Sequence, residues 1–267
     1  GHNSIDYVHT VTEALKLAFA DRERYYGDPR FVDVPLDHLL SAEYCDAQRG
    51  RITPEQATVY DGAAAQPGEP APPGDTSYVA VIDRYGNAFS ATPSDVSNDT
   101  PVIPGTGLCP SSRGSQSWAN PDHASSVAPG KRPRLTPNPA LAIHKGKFVM
   151  PFGTPGGDVQ CQAMLQGLLN IVLFGMNPQA AVEAPRFATY NSPNSFEPHS
   201  AYPGRLSMEG RFPEATVRAL AARGHEVHAW PNWTYLAGAV CAVYQDLEQG
   251  TLTGAADPRR QGYAAGW

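Results

Sequence analysis

The stretch 72-PPGDTSYVAVIDRYGNAFS-90 decides how this chain is organised. A segment rich in alanine, proline and glycine ends at Asp75, and the character of the sequence changes from Thr76 onward. Two short runs, "SYVAVID" and "NAFSA", predict β-strands, and the short turn at residues 84–87 predicts that they form a hairpin. Thr76 stands directly before the first strand, behind a segment with almost no large apolar side chains, and its position needs a chemical explanation.

The composition narrows the class of protein. Of the 267 residues, 41% are hydrophobic and 17% are charged, and the formal net charge is −6. This charge leaves no basic surface of the kind that nucleic-acid binding requires, so we expect no nucleic-acid partner. The length allows one large domain or two small ones. The 25 glycines and 26 prolines favour strands joined by tight turns.

The histidines and cysteines do not have the spacing of metal ligands. The eight histidines are scattered, and the four cysteines contain no CxxC pair, so no metal site is predicted. We expect the cysteines to be free and mostly buried thiols, and two disulfides are the alternative. They are Cys45, Cys109, Cys161 and Cys241.

The sequence has no run of 18 apolar residues, so no membrane association is predicted. Its first ten residues, "GHNSIDYVHT", lack the basic and apolar regions of a signal peptide, and they also lack an initiator methionine. We therefore expect a processed piece or a fragment of a longer protein. The compartment is left open, with the cytoplasm slightly favoured.

The order of the predicted elements indicates helices packed on antiparallel sheets. A helix over residues 4–26 precedes a surface linker over residues 53–75, and a long irregular stretch over residues 93–138 follows the first hairpin. The remaining predicted elements are a hairpin turning at residues 145–146, a buried helix directly after the glycine pair at 156–157, a short helix that opens with Pro178, a helix and strand over 212–230, and a final strand over 238–246.

The position of Thr76 suits one specific chemistry. A threonine hydroxyl is a poor nucleophile unless a base lies within hydrogen-bond reach. Cutting the peptide bond before the threonine supplies such a base, because the freed α-amine has a pKa of about 8 and is partly neutral at pH 7. We therefore interpret residues 62–76 as an accessible linker that ends at a nucleophile. The alternative is an ordinary β-forming residue at a strand start.

The motif "GTPGGDVQ" is the second chemical signal. It places Gly156 and Gly157 where a strand gives way to a helix, and backbone N–H groups at such a point can stabilise an oxyanion. A tight turn without any catalytic role is the alternative.

Six segments together resemble the γ-glutamyltransferase family of self-processing N-terminal-nucleophile hydrolases. The resemblance covers essentially the whole chain, and it implies a four-layer αββα sandwich. Residues 1–75 resemble the end of the family's large subunit, and residues 76–267 resemble its entire small, catalytic subunit. The segments are "GDTSYVAVIDRYGNAFS", "PGTGL", "GKRPRLTPNPAL", "GTPGGD", "FGMNPQAAVEAPRF" and "GAADPRRQGYAAG".

The resemblance assigns catalytic roles to four residues and implies no cofactor. Thr76 matches the nucleophile that is exposed by cleavage after Asp75, and Ser94 matches the hydroxyl that hydrogen-bonds to this nucleophile. Gly156 and Gly157 match the glycines of the oxyanion hole. The implied partners are a small-molecule amide substrate and the remainder of the large subunit. The implied assembly is a heterodimer of processed subunits, with further dimerisation left open.

The recognition residues of the family are largely replaced. Val96 stands where members have Asn, and "SSRGSQSW" lacks the Asp that pairs with a substrate α-amine. Leu135-Thr136 replaces a Ser-Ser pair that helps to hold the α-carboxylate. Arg113, Gln116 and Thr136 are the predicted substrate-binding residues. With "PGTGL" and Arg113 the chain more closely resembles the branch that contains oxamate amidohydrolase. Arg113 can itself bind a substrate carboxylate bidentately, and a solvated or structural loop arginine is the alternative.

These observations predict a zymogen that cleaves itself and then acts as a γ-glutamyltransferase-like amide hydrolase or acyltransferase. The resemblance places such an enzyme in glutathione metabolism. One alternative is a non-glutamyl amidohydrolase or acylase that acts on oxamyl or glutaryl amides. The other is a catalytically silent, uncleaved homologue with a binding role.

Overall fold

The computed structural model describes residues 1–59, 76–95 and 100–267. Asp75, most of the predicted linker and Val96 lie outside the described residues. The described part is a mixed α/β fold with six α-helices, nine strands and two short 3₁₀ turns. The helices are α1 (Ile5–Tyr25), α2 (Leu36–Leu39), α3 (Ala42–Arg49), α4 (Val159–Val172), α5 (Pro178–Glu183) and α6 (Glu214–Ala222). The 3₁₀ turns are Ser112–Gln116 and Tyr235–Ala237.

The strands form three sheets among the described residues. They are β1 (Val79–Ile82), β2 (Ala88–Ala91), β3 (Ala140–His144), β4 (Phe148–Gly153), β5 (Phe187–Thr189), β6 (Arg205–Glu209), β7 (Glu226–Trp230), β8 (Cys241–Asp246) and β9 (Thr251–Ala255). Strands β1 and β2 form a hairpin, β3-β4-β8-β9 an antiparallel sheet, and β5-β6-β7 a third sheet in which β6 and β7 run parallel.

The β1–β2 hairpin packs against the four-stranded sheet, where it contacts β3, β4 and β8. One contact explains a glycine at the end of β4. A Cβ atom on Gly153 would lie 2.3 Å from the Tyr78 ring, so only glycine allows this approach. Tyr78 donates to or accepts from Ser90 Oγ at 2.7 Å, and burial raises the pKa of its phenol to about 12. The hairpin is thereby fixed over the end of β4.

Helices α1, α4 and α6 pack on two of these sheets. Apolar side chains of α4 pack on β4 in one core cluster, in which Met150, Phe152 and Met164 are buried. Helices α1 and α6 pack on the third sheet, where Val8 and Leu220 lie against buried residues of β5 and β6. Each cluster forms because apolar residues repeat at helical spacing along the helix and at strand spacing along the strands that it packs on.

Most predicted elements are confirmed, and some predictions are wrong. Ser4 caps α1 by accepting from Tyr7 N, and both hairpins, α4, α5, α6 and β7 form where expected. The strand over 238–246 is not the last, because β9 follows and pairs with it. Helices α2 and α3 and strands β5 and β6 were not predicted. The cysteines are free, as expected, but three are exposed rather than buried.

Among the described residues, none of the helices has both the length and the apolar character that crossing a bilayer demands.

A buried pair of histidines ties α1 to the start of β7. His9 Nδ1 lies 2.8 Å from His225 Nε2, and His9 Nε2 donates to Thr53 O at 2.7 Å. The carbonyl can only accept, so His225 Nε2 donates to His9 and His225 Nδ1 carries a lone pair. Burial, together with the nearby Lys16 ammonium, lowers the pKa of His225 to about 3. His225 is therefore neutral in the folded protein at neutral pH.

This pair predicts a loss of stability in acid. The unfolded chain protonates His225 below about pH 6.5, whereas the folded protein does so only near pH 3. The unfolded state binds more protons between these values, so the free energy of unfolding decreases as the pH falls from about 6.5 towards 3. Urea midpoints at pH 7.5 and pH 5 should differ less in His225→Gln than in wild type. The exposed His144→Gln is the control, and an equal pH dependence in all three proteins would contradict the assignment.

Candidate active site

Thr76 and Ser94 meet at one end of the first hairpin. In the antiparallel register Val79 pairs with Ala91, and Ser77 N donates to Pro93 O at 3.0 Å beyond the last strand pair. The register therefore brings the residue before Ser77 alongside the residue after Pro93. Thr76 Oγ1 lies 2.5 Å from Ser94 Oγ, and only 7% of Thr76 is exposed. Two hydroxyls in direct contact, one of them on a buried threonine, form the centre of the site.

Arg113 extends this centre towards the irregular stretch. Its Nη2 donates to Ser94 Oγ, and its Nη1 lies 3.2 Å from both Gln116 Oε1 and Thr136 Oγ1. Gln116 Nε2 in turn donates to Thr136 Oγ1 at 3.3 Å. All three side chains are buried. The structure thus places the three predicted substrate-binding residues in one cluster. The Ser94 hydroxyl bridges its guanidinium and Thr76 Oγ1.

Gly156 and Gly157 occupy backbone conformations that favour glycine. Their φ angles are +136° and +56°, and a Cβ atom on Gly156 would lie 3.5 Å from the Cα of Gly238. Their carbonyls accept from Val159 N and Gln160 N, the first residues of α4. Among the described residues, neither glycine N–H donates to a protein acceptor. The pair follows Gly153, which contacts Tyr78, so it lies at the same end of the hairpin as Thr76.

Two residues near the site were not predicted from the sequence. The Phe196 ring lies 5.5 Å from Arg113 Cζ, and one of its carbons lies 3.7 Å from the position of a Cβ on Gly157. Arg260 Nη1 lies 3.5 Å from Thr76 O, and burial lowers the pKa of Arg260. Phe196 belongs to an irregular segment without any periodicity. Arg260 belongs to "DPRR", part of a segment that carries the family resemblance but to which no site role was assigned.

The other charged residues of "DPRR" do have structural partners. Arg259 donates to both carboxylate oxygens of Glu209, at 2.7 and 2.6 Å, and to Asp257 Oδ1 at 3.1 Å. Arg186 donates to Asp257 Oδ2 and to Ala237 O. All four charged side chains are almost fully buried. This network holds the segment before β8, which includes Gly238 behind Gly156.

One group among the described residues has the composition of a metal site. His9, Glu13 and His225 are buried, and their candidate ligand atoms lie within 4.8 Å of one another. Their atoms are already engaged, because His9 bonds to His225 and Glu13 accepts from the buried Lys16 ammonium at 2.7 Å and from Thr58 N at 3.0 Å. A divalent cation there would be repelled by Lys16, so the donor set does not fit a metal.

Comparison with known proteins gives a consistent set of relatives. A family model described as gamma-glutamyltranspeptidase matches residues 1–267. The acylase ACY 1 proenzyme of Pseudomonas sp. (strain SE83) is 38% identical over 264 residues, covering 98% of this chain and 44% of that protein. The glutathione hydrolase-like YwrD proenzyme of Bacillus subtilis is 35% identical, covering 99% and 48%. The oxamate amidohydrolase proenzyme of Klebsiella pneumoniae is 32% identical, covering 97% and 47%.

Solved structures show the same similarity in three dimensions. LmbA2991HD has a TM-score of 0.90 at 37% identity, and a cephalosporin acylase from Bacillus halodurans has 0.78 at 29% identity. Each comparison covers 100% of this chain, but only 49% and 46% of the two solved chains. The chain thus spans about half the length of these curated relatives and of these two solved chains.

Proposed function

The chain belongs to the gamma-glutamyltranspeptidase family, and we propose that it forms the catalytic part of a self-processing amide hydrolase or acyltransferase with Thr76 as its nucleophile. The observation that carries this proposal is the contact of Thr76 Oγ1 with Ser94 Oγ at 2.5 Å, beside the Arg113 guanidinium. Relatives named acylase, glutathione hydrolase and oxamate amidohydrolase are enzymes that cleave amides, and each of these names includes "proenzyme".

Self-processing is the first step. The Thr76 hydroxyl attacks the carbonyl carbon of Asp75, the peptide bond becomes an ester on Thr76 Oγ1, and water hydrolyses that ester. The products are a carboxylate on Asp75 and a free α-amine on Thr76. The proposed pieces are residues 1–75, at the end of a large subunit, and residues 76–267, a small subunit.

Amide cleavage then uses the new amine. The neutral amine of Thr76 takes the hydroxyl proton as Oγ1 attacks the substrate carbonyl. Gly156 and Gly157 donate N–H groups to the oxyanion, and Ser94 orients Oγ1 by a hydrogen bond. The tetrahedral intermediate collapses, the leaving amine takes the proton from the Thr76 ammonium, and the acyl group stays on Oγ1 as an ester. Water or an acceptor amine then releases the acyl group.

The complete protein is proposed to be larger than the described part. We propose the four-layer αββα sandwich for it, with the β1–β2 hairpin and the four-stranded sheet in the two inner layers. The direct packing of this hairpin on β3, β4 and β8 supports that arrangement. The processed subunits would remain associated as a heterodimer, because α1 and the third sheet share an apolar core that cleavage at residue 75 leaves intact.

The substrate is proposed to carry a carboxylate on its acyl part and no α-amine. The Ser94 hydroxyl bridges the Arg113 guanidinium and Thr76 Oγ1. Contacts with Gln116 and Thr136 orient the guanidinium. A guanidinium pairs well with a carboxylate and repels an ammonium group. This favours a non-glutamyl amidohydrolase or acylase over a glutathione hydrolase. A silent, uncleaved homologue is the competing proposal from a different class, and the processing test below separates it.

The processing proposal predicts two bands on a denaturing gel of the full-length protein. N-terminal sequencing of the smaller one should begin at Thr76, because cleavage uses its hydroxyl. Thr76→Ala should give a single band, whereas Thr76→Ser should still be cleaved. A smaller band that begins at any other residue, or a single band in wild type, would contradict the proposal.

The oxyanion assignment predicts a loss of turnover when the glycine pair is changed. Gly157→Val should lower kcat by about 10²–10³-fold with little change in KM, since the donors act mainly in the transition state. Gly250, which also has a positive φ angle but lies in the β8–β9 turn, is the matched position for Gly→Val. An unchanged kcat in folded Gly157→Val, or an equal loss in Gly250→Val, would rule out the assignment.

The substrate proposal predicts a preference between matched anilides. The ratio of kcat/KM for a glutaryl anilide to that for the γ-glutamyl anilide should exceed one in wild type and should fall in Arg113→Gln. A γ-glutamyl compound that is better by tenfold, about 1.4 kcal/mol in transition-state binding, would show that another anion receives the amine. Arg132→Gln, which removes a guanidinium outside this cluster, is the control.

A further inference from the structure

The carboxylate of Asp158 does not serve the helix that it begins. Asp158 is the N-cap residue of α4, where an aspartate side chain ordinarily accepts from an N–H of the first helical turn and stabilises the helix. Here the side chain makes no such hydrogen bond. Its oxygens are instead committed to distant parts of the chain, which indicates a different role for the residue that directly follows Gly157.

Arg22 and Ser195 receive that carboxylate. Arg22 Nη1 donates to Asp158 Oδ1 at 2.7 Å, and the two side chains are only 13% and 15% exposed. Ser195 Oγ donates to Oδ1 at 2.7 Å, and Ser195 N donates to Oδ2 at 2.6 Å. Arg22 also donates to Pro193 O at 2.8 Å. Both carboxylate oxygens are thus used, and the 193–195 segment is held from two sides.

Each of these contacts reaches a different part of the proposed site. Asp158 is bonded to Gly157, so its position sets the orientation of the glycine N–H donors. Ser195 is bonded to Phe196, whose ring lies 3.7 Å from the position that a Cβ on Gly157 would take and 5.5 Å from Arg113 Cζ. Arg22 lies in the last turn of α1, which precedes the proposed cleavage junction. The Arg22–Asp158 ion pair therefore joins α1, which lies before the junction, to the glycine pair and the Phe196 segment, which lie after it.

We infer that the Arg22–Asp158 ion pair is a positioning device, which holds the oxyanion donors and the Phe196 segment in register with Thr76. This inference rests on the proposed function. It implies that α1 stays necessary for catalysis after the peptide bond before Thr76 has been cut. Neither residue touches the substrate or the reacting atoms, so both are positioning residues. A small displacement of the donors is enough to matter, since about 1 Å of misplacement can cost on the order of 10²-fold in rate.

The test is a double-mutant cycle in the full-length, processed protein. Asp158→Asn keeps the size of the side chain but removes its charge, and Arg22→Gln removes the guanidinium. Each should lower kcat by about 10–100-fold with little change in KM for a glutaryl anilide. The double variant should be no slower than the slower single variant, because residues that act through one another are non-additive. Arg22→Lys should restore part of kcat, since it keeps the positive charge.

Asp28→Asn is the matched control. Asp28 is fully buried, follows the end of α1 and accepts from Arg132 in the later segment, so it also joins the two parts of the chain. It should lose stability in urea without losing kcat. Equal kcat losses in Asp158→Asn and Asp28→Asn, or additive losses in the cycle, would overturn the inference. If Asp158→Asn is not processed, the kcat of Arg22→Lys is compared with that of Asp28→Asn instead, and equal losses would overturn the inference. Wild type without any cleavage or activity would instead refute the proposed function.

Discussion

The salt bridge between Arg259 and Glu209 is the interaction on which the surrounding backbone depends. Both side chains are buried, and Asp257 and Arg186 complete the network. Breaking a buried pair by removing one partner costs about 3–5 kcal/mol, because the remaining charge has no water to solvate it. The network also holds backbone groups, since Val240 N donates to Asp257 Oδ2 at 3.0 Å. It therefore keeps Gly238 against Gly156 and places Arg260 beside Thr76.

Much of the fold follows from local patterns in the sequence. Two short runs of strand-forming residues around a tight turn predict the first hairpin, and antiparallel pairing then requires that the residues flanking its two strands meet. The contact between Thr76 and Ser94 is a consequence of that register. Helix α1 likewise follows from its apolar spacing and from the Ser4 cap. In these elements the residues that decide the structure lie within a few positions of one another.

The remaining features depend on residues that are far apart in the chain. Strand β5 has only three residues, and β6 pairs with β7 across a helix, so neither has enough periodicity to be detected alone. Asp158 looks like an ordinary helix cap in the sequence, and only the structure shows that Arg22, 136 positions away, takes its carboxylate. Phe196 reaches Arg113 from an irregular segment. Such contacts are set by tertiary packing, which a local pattern does not encode.

The most direct test of the central claim is to find the atom that carries the acyl group during turnover. The full-length, processed protein is mixed with a slowly hydrolysed glutaryl ester, quenched in acid, digested with pepsin in acid, where the protonated α-amine cannot take the acyl group, and analysed by mass spectrometry. The account predicts a glutaryl adduct on a peptide that begins with Thr76-Ser77-Tyr78, bound to Thr76 Oγ1 as an ester that hydroxylamine removes. An adduct on Ser94 or elsewhere, or turnover that persists in a Thr76→Ala small subunit, would contradict it.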